Sequence, residues 1–542
     1  MASDRAAVPP TPQSHPEHLT RSAGLAGAAT GISRILGLVR ETVLAAVFGA
    51  GNEMDAFNVA FRIPNLVRDL FAEGAMSAAF VPTFSRRIAL SGKRDAWRLG
   101  SFVMNALLLS TGALVVIGWM LTTPLVTAYA GGYASVPGKL ALTIELTRTM
   151  LPFLTLVALA AAAMGMLNSL GHYFMPALSP AAFNVAAIAS ALILPPLMHG
   201  IGQPPVMALA IGTLVGGVGQ VLLQWPPLHR EGFRYSPTLD VGDPGLRQVL
   251  LLMGPGTIGL AATQVNLFVN TQLAVSQGTG AVSWLLYAFR LMYLPIGLFG
   301  VSIATAVLPA VARQLAVKDS DAAIHTVGRG LALMLLVNVP ATVGLFLLAT
   351  PIVQLLLERG LFLRADTVAT ALAVQCYAVG LIGHSAVRIT SPVFYALGRS
   401  RIAVWLSALS IAVNLALSLV LVRAMGFSGL ALGTSGAALL NGGVSLFLVR
   451  RHLGGIDHRH LASTFIRILL ASAAMGLAVT LVNQAMPRVM PGSGTLTQLI
   501  RLGVTISAGI GTLAAMAWLL RIPEWNEALD RGRRRLRDWL VV

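Results

Sequence analysis

Acidic residues and cysteine are scarce in this sequence. Asp and Glu number 21 against 38 Lys and Arg, and Cys376 is the single cysteine of 542 residues. One cysteine excludes an internal disulfide and a thiolate metal site. Charged residues make up only 11% of the chain, whereas 56% is hydrophobic, and the mean hydropathy is +0.75. These values exclude a soluble fold and predict an all-α polytopic membrane protein.

Apolar windows long enough to cross a bilayer recur along the chain. A membrane-spanning helix needs about 20 mostly apolar residues. Such windows lie at 24–48, 55–84, 99–129, 140–170, 175–199, 204–226, 248–275, 281–312, 327–351, 367–397, 402–422, 427–449, 462–486 and 496–520. We therefore expect fourteen transmembrane helices.

The net charge of +17 follows the side of the membrane and is not gathered in one patch, so nucleic-acid binding is not expected. With a cytoplasmic N-terminus, 24 basic residues fall on the inside and five on the outside, namely Lys139, Arg359, Arg364, Arg423 and Arg488. This bias predicts that both termini are cytoplasmic. The N-terminal segment before Arg21 is rich in Pro, Ser and His without an apolar core, which is typical of a disordered tail and not of a signal peptide.

Part of the sequence repeats at a nearly constant offset. Ala60–Ile63 recurs as Ala288–Leu291, Phe71 recurs as Phe299, and Pro82 recurs as Pro309 after a slip of one position. Six predicted helices separate the copies, so both copies have the same orientation. We expect two six-helix lobes related by a pseudo-two-fold axis along the membrane normal.

The repeat predicts the domain organisation of the whole chain. The expected parts are a disordered cytoplasmic tail (1–23), an N-lobe of helices 1 to 6 (24–226), a cytoplasmic linker (227–246), a C-lobe of helices 7 to 12 (247–450), two extra helices 13 and 14 (451–520) and a basic cytoplasmic tail (521–542).

Arginines lie inside otherwise apolar windows, and we single out Arg34, Arg40, Arg62, Arg68 and Arg290. An arginine at the centre of a membrane helix costs roughly 3 kcal/mol on insertion scales, so several persist only beside a wet cavity or an anionic partner. Guanidinium keeps its charge and binds phosphate oxygens in pairs. The set predicts a central cavity for a large anionic substrate.

Not every one of these arginines can face the same phosphate. Arg34 and Arg40 are six residues apart, as are Arg62 and Arg68, and six residues turn a helix by about 600°. Part of the set is therefore structural. For Arg34, Arg40 and Arg68 the alternative is an ion pair with an acid of the same two windows, which are Glu41, Asp55, Asp69 and Glu73. For Arg62, the alternative to substrate binding is that its side chain packs within the lobe.

Glycine and proline suggest where helices bend or touch. Gly254 and Pro255 lie in a Gly-Pro-Gly sequence near the start of a window, which permits bending and favours a gate, with close packing as the alternative. The spacings Gly212 to Gly216 and Gly429 to Gly433 indicate helix contacts, which carry no function.

Several motifs resemble one known family. The sequence is similar to the MurJ (MviN) lipid II flippases of the MOP exporter superfamily over roughly residues 22–520, most specifically in the first two windows. The motifs are Ser33–Gly37, Arg40–Glu41, Phe48–Gly51, Asp55–Phe57, Pro64–Leu66 with Arg68, Phe71–Ala75, Phe80–Pro82, Asn168, Pro176, Pro180, Asn184, Gly254–Pro255, Ser283–Trp284, Arg290–Leu291 and Phe394–Tyr395.

The resemblance implies a multi-pass transporter of the bacterial cytoplasmic (inner) membrane. It would move undecaprenyl-pyrophosphoryl disaccharide-pentapeptide, or lipid II, to the outer leaflet by alternating access, with the lipid tail along a groove involving helices 13 and 14. The implied partners are lipid II, membrane lipids and the cell-wall synthesis or division machinery. The family's substrate-binding positions match Arg34, Arg40, Asp55, Arg68, Ser283 and Arg290.

The sequence argues against sodium as the coupling ion. From residue 248 onward every Asp and Glu lies in a predicted loop or tail, and Na⁺ prefers oxygen ligands that usually include a carboxylate. A sodium site near Asn414, Ser418 and Thr434, as proposed for some relatives, is therefore not expected. We hypothesise coupling to protons or membrane potential, with Asp55 and Glu73 as the acids to test.

Three other functions stay open at this stage. One is export of another polyprenyl-linked saccharide or of a multidrug substrate. A second is a membrane-embedded glycosyltransferase or phosphatase, which is disfavoured because no loop carries clustered acids or histidines, so neither an enzyme nor a cofactor or metal is expected. The third is a scaffold of the cell-wall machinery.

Overall fold

The computed structural model describes residues 16–68, 76–297, 301–455, 458–492 and 494–527, and every regular element in these ranges is helical. The helices are α1 (Pro16–Phe48), α2 (Asn52–Arg68), α3 (Met76–Met120), α4 (Thr122–Ala130), α5 (Lys139–Met150), α6 (Phe153–Ser169), α7 (Phe174–Ile193), α8 (Pro195–Gly200), α9 (Met207–Arg230), α10 (Pro244–Val275), α11 (Ala281–Pro295), α12 (Val301–Ala316), α13 (Ser320–Leu357), α14 (Arg364–Ala378), α15 (Leu381–Ala396), α16 (Ser400–Met425), α17 (Phe427–Leu453), α18 (His458–Val489) and α19 (Thr495–Leu519).

The predicted windows agree with these helices. Each window overlaps one helix or two consecutive ones: 402–422 lies within α16, for example, whereas 140–170 is divided between α5 and α6. Among the described residues, nine helices are long and apolar enough to cross a membrane, or ten when the bent pair α14 and α15 counts as one span. The all-α membrane fold is confirmed, and the count of fourteen stays a prediction.

Two predicted boundaries differ from the structure. Residues 16–23 belong to α1, so the expectation of a disordered tail is wrong for them. The expected linker 227–246 is also shorter, because α9 continues to Arg230 and α10 begins at Pro244.

Helix breaks occur at matching places in the two copies of the repeat. Within α3, Gly92 has a φ of +80° and interrupts the helix. The corresponding place in the second copy is the start of α13, at Ser320. The bent pair α14 and α15 likewise takes the place in the second copy that α5 and α6 take in the first. These breaks support the duplication.

The chain divides into two compact units. Unit 1 contains the described residues of Met1–Val43, Phe61–Thr122 and Leu146–Thr257, and unit 2 contains those of Leu44–Ala60, Thr123–Glu145 and Ile258–Val542. This division differs from the expected lobes, because residues 44–60 and 123–145 pack within unit 2. Leu361 N–H donates to the carbonyl oxygen of Ala46 at 2.9 Å, and Gln272 Nε2 donates to that of Ala128 at 3.3 Å.

The core of unit 1 is aromatic near the connection from α9 to α10. The rings of Phe80 and Phe84 have centroids 5.2 Å apart, and Trp97 lies 5.6 Å from Phe84 and 5.3 Å from Phe233. All four side chains are buried. Phe233 thereby packs the connection between α9 and α10 against α3.

Glycines mark close helix contacts in both units, as the sequence predicts. A Cβ on Gly429 of α17 would lie 2.4 Å from the carbonyl oxygen of Leu421 on α16. Gly433 is similarly close to α16 (2.8 Å), and Gly212 and Gly216 of α9 are close to α7 (2.7 Å). Because only glycine leaves room for such approach, the helix-contact prediction is confirmed.

Candidate functional site

Helix α1 in unit 1 holds two of the predicted substrate-binding arginines and exposes them differently. Arg34 is exposed, whereas only 19% of the Arg40 side chain is. Arg40 Nη2 lies 2.5 Å from Glu41 Oε1, and its guanidinium lies 5.4 Å from the centre of the Phe183 ring. The six-residue spacing thus places the two side chains in different surroundings. For Arg40, the ion pair that the sequence left open is present.

The predicted substrate-binding residue Arg68 and the residues predicted for coupling or gating, Arg62, Glu73, Gly254 and Pro255, are only partly described. Arg62 is half-buried on α2. Arg68 ends α2, and Gly254 and Pro255 belong to the helical backbone of α10, but their side chains lie outside the described part of the chain, as does all of Glu73. Their predicted roles stay predictions.

A buried polar cluster in unit 2 centres on Asp55, in the first turn of α2. Asp55 Oδ1 accepts hydrogen bonds from the Ser283 backbone N–H at 3.1 Å and from the Ser283 hydroxyl at 2.7 Å. Oδ2 accepts from the Gly280 N–H at 2.7 Å and from the Lys139 ammonium at 2.9 Å. Asp55, Lys139 and Ser283 are each at most 3% exposed. We call Asp55, Lys139, Gly280 and Ser283 the Asp55 cluster.

Helix chemistry explains why Asp55 lies there. Gly280 precedes α11 with a φ of +90°, which favours glycine. The first N–H groups of a helix have no acceptor within that helix, and the positive end of its dipole attracts a carboxylate. Asp55 therefore caps α11 from a different helix. Lys139 balances the charge, because a carboxylate buried without a partner costs several kcal/mol.

The structure brings the predicted residues Asp55 and Ser283 together, but they bind one another. A carboxylate has about four acceptor positions, and the four hydrogen bonds of the Asp55 cluster use them. Contact with a ligand therefore requires the cluster to open. The sequence reasoning treated Lys139 as an ordinary outer-loop charge, whereas its ammonium is buried 4.0 Å from the centre of the Tyr133 ring. Its position as a lone cation at the start of an apolar window was the available signal.

Arg290 lies on the same helix as Ser283. The two residues are seven positions apart on α11, so they share one face and are separated by about 10.5 Å along the axis. Ser283 is fully buried and Arg290 is half-buried. Arg290 therefore lies about two helical turns beyond the N-terminal end of α11, which Asp55 caps.

Unit 2 also contains a polar cavity of about 220 Å³. It is lined by Asn266, Tyr293, Ile296, His384, Val387, Arg388, Ser410, Asn414, Thr434, Ala437, Ala438 and Asn441. The sequence reasoning missed His384 and Arg388, both on α15. Arg388 lies inside the window 367–397, so the rule used for the other arginines could have found it. Arg148 of α5 was missed in the same way.

The position proposed for sodium in some relatives holds a chain of neutral hydrogen bonds. Asn414 Nδ2 donates to Asn266 Oδ1 at 2.7 Å, and Asn414 Oδ1 accepts from Ser418 at 3.2 Å and Thr434 at 3.4 Å. Within the described ranges, no group of three His, Cys, Asp or Glu side chains is arranged to hold a metal ion. The acids that the structure describes beyond residue 257 lie at helix ends or in connections, as predicted: Asp319, Asp321, Glu358, Asp366, Glu524 and Glu527.

Comparisons with known proteins agree on one family. The family described as lipid II flippase MurJ matches residues 44–499. A probable lipid II flippase MurJ of Vibrio cholerae serotype O1 is 34% identical over 505 residues, which cover 90% of this chain and 94% of that protein. The solved structure of a lipid II flippase MurJ in an inward closed conformation matches with a TM-score of 0.75 and 25% identity, covering 92% of this chain and 99% of that one.

A more distant likeness concerns the fold alone. The inward-facing structure of a multidrug resistance MATE family transporter of the MOP superfamily matches with a TM-score of 0.66 and 16% identity, covering 80% of this chain and 98% of that one. The family match extends over well more than half of the sequence, and the Vibrio cholerae relative covers nine-tenths of it. The chain therefore belongs to the lipid II flippase MurJ family.

Proposed function

We propose that this protein is a lipid II flippase, which moves undecaprenyl-pyrophosphoryl disaccharide-pentapeptide from the inner to the outer leaflet of the bacterial inner membrane. The observation that carries the proposal is the family match over residues 44–499 of a chain that is helical and multi-spanning. The protein is a transporter and not an enzyme.

Arginines supply the binding chemistry in this proposal. Arg34, Arg40, Arg68 and Arg290 bind the diphosphate, because guanidinium donates two parallel hydrogen bonds to phosphate oxygens and stays charged in the membrane. Arg34 is exposed and Arg290 is half-buried. Arg40 exchanges its Glu41 contact for the substrate, so its binding is coupled to breaking an ion pair.

The Asp55 cluster acts as the outer closing contact. Under the orientation with cytoplasmic termini, the connections that precede α2, α5 and α11 all face outward. The cluster joins the first turns of these three helices. Release of lipid II to the outer leaflet therefore requires Asp55 to leave the end of α11. Arg62, Glu73, Gly254 and Pro255 contribute to coupling or to bending of the gate.

Protons or the membrane potential drive the cycle. Support comes from the neutral hydrogen-bond chain around Asn414, which offers no carboxylate to Na⁺. Asp55 and Glu73 are the acids to test. The test is whether flipping is independent of sodium and persists in the Asp55→Asn, Glu73→Gln double variant. If both hold, the membrane potential is left as the energy source.

The lipid tail follows an apolar groove in unit 2. A cavity of about 540 Å³ lies between α13, α15, α17 and α18, with Leu331, Phe447 and Phe465 in its wall. Large apolar side chains such as Leu477 and Leu481 of α18 are also exposed. These surfaces suit a polyprenyl chain. The cell-wall synthesis or division machinery is a further proposed partner.

Complementation tests the function. The chain is expressed in a bacterium depleted of its own flippase, alongside Arg34→Glu, Arg68→Glu and Arg290→Glu variants. Wild type restores growth, and the three variants do not, although all reach the membrane in equal amounts. Arg423→Glu is the matched control, because Arg423 is exposed at the end of α16 and keeps function.

A leaflet-specific assay separates lipid II from other substrates. Purified protein in vesicles should bring lipid II to the outer leaflet, and excess of another polyprenyl-linked saccharide or a multidrug substrate should not compete. Strong competition by either would favour the alternative exporter. Growth that survives Arg34→Glu and Arg290→Glu with intact folding would favour a scaffold.

A further inference from the structure

The polar cavity of unit 2 carries one formal positive charge in its described lining. Arg388 is its single Arg or Lys, and no Asp or Glu belongs to the lining residues that the structure describes. The Arg388 guanidinium donates to the Tyr293 hydroxyl and lies 5.7 Å from the centre of that ring. Neither contact supplies a negative charge. A cation held in a membrane helix requires water or an anion beside it.

Two amide oxygens of the cavity are already used in hydrogen bonds within the protein. The oxygen of Asn266 accepts from Asn414, and the oxygen of Asn414 accepts from Ser418 and Thr434. These are the oxygen atoms that a hard cation would need. The Asn441 oxygen also lines the cavity and is buried without a hydrogen-bond partner among the described residues. Because an amide can turn its NH₂ group to the same place, the cavity can present a guanidinium, hydroxyl groups and N–H groups to a negative ligand.

His384 adds a second, independent indication of a ligand. Its Nε2 atom is buried and has no hydrogen-bond partner in the part of the chain that the structure describes. His384 is one helical turn from Arg388 on α15, and both side chains line the cavity. A buried polar atom that lacks a partner is destabilising, because it has lost its hydrogen bonds to water. A bound ligand or its water would remove that cost.

The size of the cavity sets the ligand class. Its volume of about 220 Å³ is well above the roughly 10–15 Å³ that a single water needs on the same measure, so it has room for a small anionic group with water. We propose that this cavity binds an anionic group, either a small inorganic anion such as chloride or phosphate, or the diphosphate of a polyprenyl lipid. Arg388 supplies the charge and His384 supplies a hydrogen bond. Binding of the lipid diphosphate rests on the proposed function, whereas binding of an inorganic anion does not.

Thermal unfolding of the purified full-length protein in nanodiscs tests the site without transport. Sodium chloride or sodium phosphate replaces sodium gluconate at constant ionic strength. A saturable rise in unfolding temperature of roughly 2–6 °C is expected for wild type. Arg388→Gln should lose the rise. Arg423→Gln removes the same charge from an exposed position and should keep it.

A second arm distinguishes the two sources. If inorganic anions have no effect, nanodiscs that contain undecaprenyl pyrophosphate should stabilise wild type and not Arg388→Gln, which assigns the site to the lipid diphosphate. His384→Gln should raise the half-saturating concentration of the active ligand, and Arg388→Lys should bind more weakly than wild type. The latter two keep the test decisive if Arg388→Gln does not fold.

Three results would overturn the proposal. The first is stabilisation of Arg388→Gln and wild type by the same amount, which would place the anion elsewhere. The second is the absence of stabilisation of wild type by all three anions. The third is a rise that follows sodium concentration and not the anion. Because none of these readouts measures flipping, failure of the site is distinguishable from failure of the flippase function.

Discussion

Asp55 and Ser283 occupy equivalent positions of the internal repeat, and they are hydrogen-bonded to one another. The Ser283 hydroxyl donates to Asp55 Oδ1 at 2.7 Å. In a two-fold arrangement, equivalent positions meet only near the axis. The contact is therefore what the predicted pseudo-two-fold would produce between α2 and α11.

Removal of Lys139 should destabilise the protein strongly. Lys139→Met leaves the carboxylate of Asp55 buried without its cation, and breaking a buried pair in this way costs about 3–5 kcal/mol. Thermal unfolding in detergent or nanodiscs measures the loss. Lys318→Met is the control, because Lys318 is exposed, and it should change little.

A double substitution separates charge from packing at the same place. Asp55→Asn combined with Lys139→Met removes both charges, so the pair should lose less stability than the sum of the single changes. If the effects were additive, the ion pair between the two side chains would have no energetic role.

Arg290→Lys should impair flipping even though it keeps the positive charge. A lysine ammonium cannot form the paired hydrogen bonds of a guanidinium with a diphosphate. We expect at least a tenfold lower rate, which corresponds to about 1.4 kcal/mol. The rate in vesicles is measured with Arg401→Lys as control, since Arg401 is exposed. An unchanged Arg290→Lys rate would mean that charge alone suffices.

The contacts that join Lys93, His172 and Glu231 in unit 1 should weaken in acid. Glu231 accepts hydrogen bonds from Lys93 at 2.9 Å and from His172 at 2.8 Å. These contacts, Lys93 first, hold the pKa of Glu231 below its ordinary value of 4.5. Because the folded-state pKa is lowered, the stabilisation is fully present above the ordinary value. It is lost as the pH falls through the lowered one.

Glu231→Gln should therefore lower stability only above that range. We expect a loss of about 1 kcal/mol or less at about pH 7, because Lys93 and His172 are half exposed. The difference from wild type should shrink as the pH falls below 4.5 and vanish once the pH is below the lowered pKa of Glu231. Unfolding temperature against pH measures it, and prior Lys93→Gln substitution should reduce the effect. An equal loss at both pH values would contradict the charge-based account.

Two glycines of α17 should respond oppositely to alanine. In Gly429→Ala the new methyl group would lie 2.4 Å from the Leu421 carbonyl oxygen, so the helices must separate at a cost of about 1–3 kcal/mol. Gly443 has no atom within 4 Å of its added Cβ. Gly443→Ala should stabilise the helix by up to about 1 kcal/mol. Similar unfolding temperatures for both variants would show that α16 and α17 are not packed this closely.

Much of the fold follows from local rules. Apolar windows identified the helical segments because the bilayer demands a minimum apolar length. Glycine spacing located the contact of α16 with α17 because only a missing side chain permits it. The breaks between α5 and α6 and between α14 and α15 were not predicted, since each lies inside a continuous apolar window.

The sequence by itself determined the class of protein, the helical segments, the repeat and the arginines that suit an anionic substrate, because length, hydropathy and charge act locally along the chain. Only the tertiary structure decided which polar groups meet. Lys139 and Ser283 are both far from Asp55 along the chain, yet all three are buried together. Hydrogen bonds between distant helices depend on how those helices pack, and no local pattern records that packing. The same holds for the cavity around Arg388.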